Sequence, residues 1–146
     1  MHHRLFRYAV LAISCLAAVR AGAAPAVQDV IVSMSSYAIT LSPATIQSGS
    51  VRFHVRNDAP DRTHELLVVR TELRPDQLPF KGAGHVDEDA PSIEKIAATE
   101  DLGPGETKTL MVTLTPGHYV YFCNINAHHM LGMRGEFTVQ ARNADL

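Results

Sequence analysis

The chain has 146 residues, of which 46% are hydrophobic and 19% are charged. This length provides for one domain with one core and leaves no room for a second catalytic module. The formal net charge is −2, from thirteen basic and fifteen acidic residues. Because nucleic-acid-binding domains carry an excess of Lys and Arg, this balance argues against a nucleic-acid partner.

The N-terminal segment has the three parts of a secretory signal peptide. Arg4 and Arg7 precede an apolar run over residues 8–19, and small residues follow up to Ala23. The run of about a dozen residues is shorter than the roughly 20 that cross a bilayer, and no later segment approaches that length. We therefore predict that residues 1–23 are removed and that the remainder is exported to the periplasm or secreted.

Cleavage after Ala23 changes both the charge and the cysteine content of the chain. It removes three basic residues and no acidic ones, which leaves ten against fifteen and a net charge of −5. It also removes Cys15, unless Cys15 is itself a lipid-attachment site, which is an alternative interpretation of this segment. The mature domain, residues 24–146, then keeps one cysteine, Cys123. A lone exported thiol implies pairing with another chain, inert burial or a metal-bound thiolate.

The first half of the mature chain is a succession of short β-rich runs. Residues 27–34 and 37–41 are predicted as the first strands, and Gln47-Ser48-Gly49 marks a turn. Val51, Phe53 and Val55 then alternate with polar residues, which is typical of a strand with one buried and one wet face. After a polar loop, His64 opens a run over residues 65–69, Glu65 followed by four apolar residues on both faces, which predicts a central strand.

The second half begins with a long connection over residues 71–105, rich in proline and glycine, with a short helix predicted around residues 93–98. Further strands are predicted over residues 107–114, 119–123 and 136–140, with Gly103-Pro104-Gly105 as the turn before the first and Pro116-Gly117 as the turn between the first two. The expected fold is therefore all-β, a two-sheet Greek-key β-sandwich of seven or eight strands.

The segment that follows the strand over residues 119–123 gathers donors that metals prefer. Cys123, His128 and Met133 supply a thiol, an imidazole and a thioether within eleven residues. The loop that carries them is anchored by a strand at each end, which favours a fixed geometry. A fourth donor must come from elsewhere, and His64 stands at a comparable position, where a polar loop enters a buried strand.

One thiolate, two neutral imidazoles and a weak thioether are the ligands that suit copper in both its oxidation states. Structural zinc is less well matched, because it prefers four Cys or His ligands and the mature chain has one cysteine. Taken singly, each residue has an ordinary structural interpretation: Cys123 or Met133 as core fillers, and His64 as a hydrogen-bonded residue at a strand end. Their combination at this spacing favours one copper ion.

The pattern Cys-x4-His-x4-Met at a strand end, preceded by a His-Glu strand start, resembles the cupredoxins, the blue copper proteins. The ligand loop of small secreted members reads Cys-Asn-x-x-x-His-x-x-x-Gly-Met. It is matched here by Cys123, Asn124, His128, Gly132 and Met133. The resemblance covers residues 27–140. It implies a cupredoxin-like sandwich with one type 1 copper and electron transfer through the partly exposed loop histidine.

The sequence departs from this pattern at two places. Asn126-Ala127 stands where glycine, with proline nearby, is frequent, and His129 follows His128 directly. A ligand register shifted by one residue, with His129 as the ligand, is therefore an alternative, although the spacing favours His128. Asn124 and Gly132 are expected to support the loop and not to bind metal, and Arg134 would raise the copper potential if it lies close.

The leading functional hypothesis is one-electron transfer by a monomer to another redox protein, a cytochrome or a copper oxidase. The alternative is a periplasmic copper carrier or copper-tolerance protein whose metal is cargo, because His128, His129, Met130 and Met133 suit Cu(I). Catalysis is not expected, since a copper oxidase or nitrite reductase needs further histidine-rich sites and the chain has no His-x-His motif. The acidic cluster Asp87-Glu88-Asp89 is expected to be a solvated loop, with a docking patch for a basic partner as the alternative.

Overall fold

The computed structural model of the protein describes residues 26–82 and 84–142, so the predicted signal peptide lies outside the described residues. The described part contains nine β-strands and one short 3-10 helix. In chain order these are β1 (Gln28–Ser35), β2 (Ala38–Ser42), β3 (Ile46–Gln47), β4 (Gly49–Asn57), β5 (Leu67–Arg70), the 3-10 helix (Pro75–Gln77), β6 (Glu94–Ala98), β7 (Thr107–Leu114), β8 (Gly117–Phe122) and β9 (Arg134–Gln140). Within these residues there is no helix with the length and apolarity that a membrane crossing requires.

The strands form two packed sheets. One has the order β2-β1-β4-β7 and the other the order β3-β9-β8-β5-β6. The pairs β1/β4 and β3/β9 are parallel, and the other neighbouring strands are antiparallel. This arrangement is an all-β Greek-key sandwich, which confirms the fold class predicted from the sequence.

Alternating side chains of both sheets fill the space between them. Val51, Phe53 and Val55 of β4 are buried, as their alternation with polar residues predicts. Phe53 lies against Phe137 of β9, with ring centroids 6.4 Å apart, and Phe137 stacks on Tyr119 of β8 at 5.3 Å. The contact between Phe53 and Phe137 joins the two sheets, and the stacking of Phe137 on Tyr119 joins β8 and β9 within one of them.

Two local predictions are wrong. The short helix predicted around residues 93–98 is instead strand β6, which pairs with β5 and covers an edge that would otherwise expose unpaired backbone groups. Gln47, predicted as part of a turn, belongs instead to strand β3, which pairs with β9 and brings the number of described strands to nine. Strand β5 also begins at Leu67, two residues later than the predicted central strand.

The order of the strands places three chain segments at one end of the second sheet. Strand β8 is antiparallel to both of its neighbours, β5 and β9. The end of β8 therefore lies beside the beginnings of β5 and β9. His64 precedes β5 and is joined to Leu102 by an isolated bridge, Cys123 follows β8, and Met133 precedes β9.

Candidate metal centre

Three of the predicted donors converge at this end of the sandwich. The thiol of Cys123 and a ring nitrogen from each of His64 and His128 all lie within 4.8 Å of one another. The Nδ1 atoms of the two histidines are 3.2 Å apart, and Cys123 Sγ is 3.4 Å from His128 Nδ1. A single ion can thus contact all three atoms with little movement of the chain.

The ligand loop, residues 123–133, is closed by its own backbone hydrogen bonds. The Cys123 N–H donates to the Met133 carbonyl oxygen at 3.0 Å and so joins the two ends of the loop. Inside it, backbone bonds run from His128 N to Ile125 O (2.9 Å), Leu131 N to Ala127 O (3.0 Å), Gly132 N to His129 O (3.2 Å) and Met133 N to His128 O (3.1 Å). These bonds hold His128 and Met133 in fixed positions relative to Cys123.

Met133, the fourth predicted donor, is fully buried and belongs to the same core cluster as Cys123. Its backbone carbonyl oxygen accepts a hydrogen bond from the Cys123 N–H, and its backbone N–H donates to the His128 carbonyl oxygen. The loop therefore brings Met133 beside the three converging donors. Its assignment as the fourth ligand remains a prediction.

The two adjacent histidines of the loop point to different places. His128 reaches Cys123 and His64, whereas the Nε2 of His129 donates a hydrogen bond to the Pro75 carbonyl oxygen at 2.9 Å. His129 is 1% exposed and packs against the rings of Phe80 and Phe122. The geometry thus favours His128 over the shifted register.

Burial controls the protonation of the three donors. His64 and Cys123 are fully buried and His128 is partly exposed. Burial lowers the pKa of His64, and His128 and Arg62 lower it further; burial and Arg62 likewise lower the pKa of His128. Both imidazoles are therefore neutral at pH 7 and have lone pairs for a metal.

Burial shifts the pKa of the Cys123 thiol in the opposite direction and raises it to about 11. Backbone N–H groups of Glu65 and Ile125 act against this rise, and the Glu65 N–H lies 3.5 Å from the sulfur. Binding of a metal here would require loss of the thiol proton, and the two N–H groups would stabilise the resulting thiolate.

Two residues beside the site were not singled out from the sequence. The ring of Tyr37 meets the His128 ring edge-on at 5.8 Å, and the Arg62 guanidinium lies 4.9 Å from the centroid of the Tyr37 ring. Gly132 approaches the same turn so closely that a Cβ atom there would lie 3.2 Å from the Tyr37 carbonyl oxygen. The position of Arg62, two residues before His64, was the only signal of its role.

Arg134 has a structural role in the loop. Its Nη1 donates to the His129 carbonyl oxygen at 2.7 Å. The guanidinium is thereby held at the C-terminal half of the ligand loop. It helps to fix the backbone that joins His129 to Met133.

The donors fit copper. A thiolate and two imidazoles, with a thioether as a weaker fourth donor, are the donor set of blue copper sites, and soft sulfur ligands select copper over the hard cations. The set is poor in thiolates for a structural zinc site. His64, Cys123 and His128 form a candidate type 1 copper site.

Comparison with protein families agrees with this chemistry. The model of the copper-binding proteins of the plastocyanin/azurin family matches residues 31–140. The chain therefore belongs to this family, the cupredoxins, and copper is its cofactor. No curated protein sequence matches the chain.

Solved structures of blue copper proteins share its fold. Auracyanin from Roseiflexus castenholzii is 23% identical, with 80% of this chain and 98% of that one covered and a TM-score of 0.55. Auracyanin A from Chloroflexus aurantiacus, described as a blue copper protein, is 17% identical, with coverages of 79% and 100% and a TM-score of 0.57. Rusticyanin from Thiobacillus ferrooxidans is 16% identical, with coverages of 82% and 79% and a TM-score of 0.58. At these identities the likeness establishes the fold.

Proposed function

We propose that this protein is a type 1 copper protein that carries single electrons between redox partners outside the cytoplasm. The observation that carries the proposal is the convergence of one thiol and two imidazole nitrogens within 4.8 Å at one end of the sandwich. His64, Cys123 and His128 are the proposed main ligands, and the Met133 thioether is the proposed fourth and weaker ligand. Bound copper would supply a one-electron change between Cu(II) and Cu(I).

The chain's own contribution is a buried frame that is held together by backbone hydrogen bonds. His64 and Met133 are fully buried, and their segments are tied to β5, β8 and β9. A frame that changes little between oxidation states keeps the reorganisation small, which favours electron transfer. A fourth donor from Met133 would also fill the coordination sphere, so we propose a carrier and not an enzyme.

Contact with a redox partner is proposed to take place around His128. This ring is partly exposed, and the neighbouring Met130 and Leu131 are 56% and 55% exposed. Apolar side chains on a loop next to the buried donors offer a surface that a second redox protein can cover. Residues 1–23 are proposed to direct export, and the mature domain is proposed to act as a monomer.

The second candidate is a copper carrier whose metal is cargo. The sequence suggests this function because the histidines and methionines of the loop are suited to Cu(I). The geometry weighs against it, because His129 is buried and bonded to Pro75 and is thus unable to pass an ion towards the surface. Transfer of copper from the loaded protein to an apo acceptor, without reversible redox cycling, would favour this candidate.

Visible and electron paramagnetic resonance spectra of the copper-loaded domain test the proposal. We expect an intense visible band from thiolate-to-copper charge transfer and its reversible loss on reduction. Cys123→Ser should abolish the band, whereas Met130→Leu, on the exposed surface of the same loop, should retain it. A colourless wild-type protein after loading with Cu(II) would refute the assignment.

A further inference from the structure

Among the described residues, His129 is the buried histidine that the proposed copper site does not use. It follows His128 directly, is 1% exposed and lies edge-on to the rings of Phe80 at 5.3 Å and Phe122 at 5.8 Å. Its Nε2 lies 2.9 Å from the Pro75 carbonyl oxygen, in the connection between β5 and β6. This contact joins residues 54 positions apart in the sequence.

Packing alone does not explain why residue 129 is a histidine. A carbonyl oxygen accepts only, so the ring must carry its proton on Nε2. The Nδ1 lone pair is then buried and has no hydrogen-bond partner among the described residues. A phenylalanine would fill the same aromatic pocket without this penalty. What histidine adds is the Nε2 donor to Pro75.

The same β5–β6 connection also forms hydrogen bonds with the part of the ligand loop nearer to Cys123. Asn124, directly after Cys123, accepts from the Val86 N–H at 2.6 Å and donates its Nδ2 to the Val86 carbonyl oxygen at 3.1 Å. The Ala127 N–H donates to the Gly84 carbonyl oxygen at 3.1 Å, and a Cβ atom on Gly84 would lie 2.3 Å from Asn126 Oδ1. The connection thus holds the loop next to Cys123 and next to His128.

We propose that His129 is a positioning residue for His128, and this inference rests on the proposed copper function. By its bond to Pro75 it anchors the loop backbone so that His128 Nδ1 faces Cys123 before a metal arrives. Adjacent side chains share a peptide unit, so fixing the His129 ring on one side of the loop restricts the orientation of His128 on the other. The loop is preorganised by the connection as well as by its own bonds.

Two substitutions separate the hydrogen bond from the packing. His129→Phe keeps an aromatic ring between Phe80 and Phe122 and removes the donor. His129→Gln removes the ring but places an amide N–H near the position of Nε2. His54→Phe, on the outer face of β4, is the matched control for a histidine-to-phenylalanine change away from the loop.

The first measurement is hydrogen exchange in the metal-free protein. In His129→Phe, the loop amides of Leu131 and Met133 should exchange ~10-fold faster than in the wild type, because a hydrogen bond of ordinary net strength is lost. Amides at the end of β9 farthest from the loop, at Val139 and Gln140, should be unchanged. His129→Gln should restore most of the protection, and His54→Phe should leave both sets of amides as they are.

The second measurement is made on the copper-loaded variants. His129→Phe should shift the charge-transfer band and the reduction potential and release copper ~10-fold faster, and His129→Gln should lie close to the wild type. If His129→Phe matches the wild type in exchange, spectrum and potential, or if His129→Gln behaves like His129→Phe, the inference is wrong. A colourless wild type would instead refute the proposed function, and the exchange experiment would still test the anchoring.

Discussion

At the scale of single residues, the protonation of Cys123 links copper binding to pH. Burial raises the thiol pKa to about 11, so the metal-free protein holds a neutral thiol at pH 7. Burial lowers the pKa values of His64 and His128, so both rings are already neutral at that pH and release no proton when they bind a metal. Binding of copper at pH 7 should therefore release about one proton, from Cys123.

A weakly buffered solution with a pH indicator measures this release during loading. The apparent affinity should also rise roughly 10-fold per pH unit from pH 7 upwards, for as long as the free thiol stays protonated. Cys123→Ser should bind too weakly to release a proton under the same conditions. Release of no proton, or of two, would contradict the assignment of the thiol and the neutral imidazoles.

Arg62 is expected to act on the site through its charge. The guanidinium lowers the pKa of both His64 and His128 and lies over Tyr37, whose ring contacts His128. In Arg62→Gln, the pKa of His128 in the metal-free protein should rise, because a nearby positive charge is gone. The reduction potential of the loaded protein should fall for the same reason, since the positive charge disfavours Cu(II).

Nuclear magnetic resonance titration of the His128 ring and electrochemistry of the loaded protein measure the two effects of Arg62→Gln. Arg52→Gln, on the outer face of β4, is the control for loss of an arginine elsewhere. Equal shifts in both variants would mean that overall net charge, and not the position of Arg62, sets these properties. A higher potential in Arg62→Gln would contradict the electrostatic explanation.

At the scale of elements, His118 ties β8 to its surroundings in a pH-dependent way. Its Nδ1 lies 2.6 Å from the Thr71 carbonyl oxygen and its Nε2 lies 3.1 Å from Glu136 of β9. Burial opposes the charged ring, but these two contacts outweigh it and raise the pKa of His118 above 6.5. The contacts therefore stabilise the fold fully below pH 6.5, and the stabilisation is lost as the pH rises through the folded-state pKa.

Urea unfolding of the wild type and of His118→Gln, from below pH 6.5 to above the folded-state pKa of His118, isolates the contribution of His118 to the free energy of unfolding. The free energies of unfolding of the two proteins should differ by about 1 kcal/mol or less, because Glu136 is half exposed. This difference should shrink as the pH rises. Only the difference is informative, since the lowered pKa values of His64, His128 and His129 make acidification below 6.5 destabilising. A difference that grows with pH would contradict the raised pKa.

The elements also show which parts of the fold and site could be predicted from sequence. Alternation identified β4, and the strand end at Cys123 located the ligand loop, because both signals are local. Strand β6 was mistaken for a helix because Glu94, Lys95 and two alanines favour helix intrinsically, and only its pairing with β5 decides otherwise. The contact of His129 with Pro75 had no sequence signal, since it depends on how a distant connection folds back.

At the scale of the whole molecule, the two sheets depend on a shared aromatic core. Phe53 of β4 is fully buried and contacts Phe137 of the opposite sheet. Phe53→Ala should lower the free energy of unfolding by roughly 3–5 kcal/mol, because it removes a buried ring and leaves a cavity. Ile31→Ala, on the neighbouring strand β1, should cost less than about 0.5 kcal/mol, since Ile31 is 54% exposed.

Urea unfolding of the metal-free protein measures both changes. A loss of this size is a large share of the roughly 5–15 kcal/mol that stabilises a typical domain. Where Phe53→Ala stays folded, its copper spectrum should match the wild type, because the ligand loop is held by β5, β8, β9 and the β5–β6 connection and not by β4. A spectrum altered as strongly as that of His129→Phe would show that the core between the sheets, and not the loop anchors, sets the geometry of the donors.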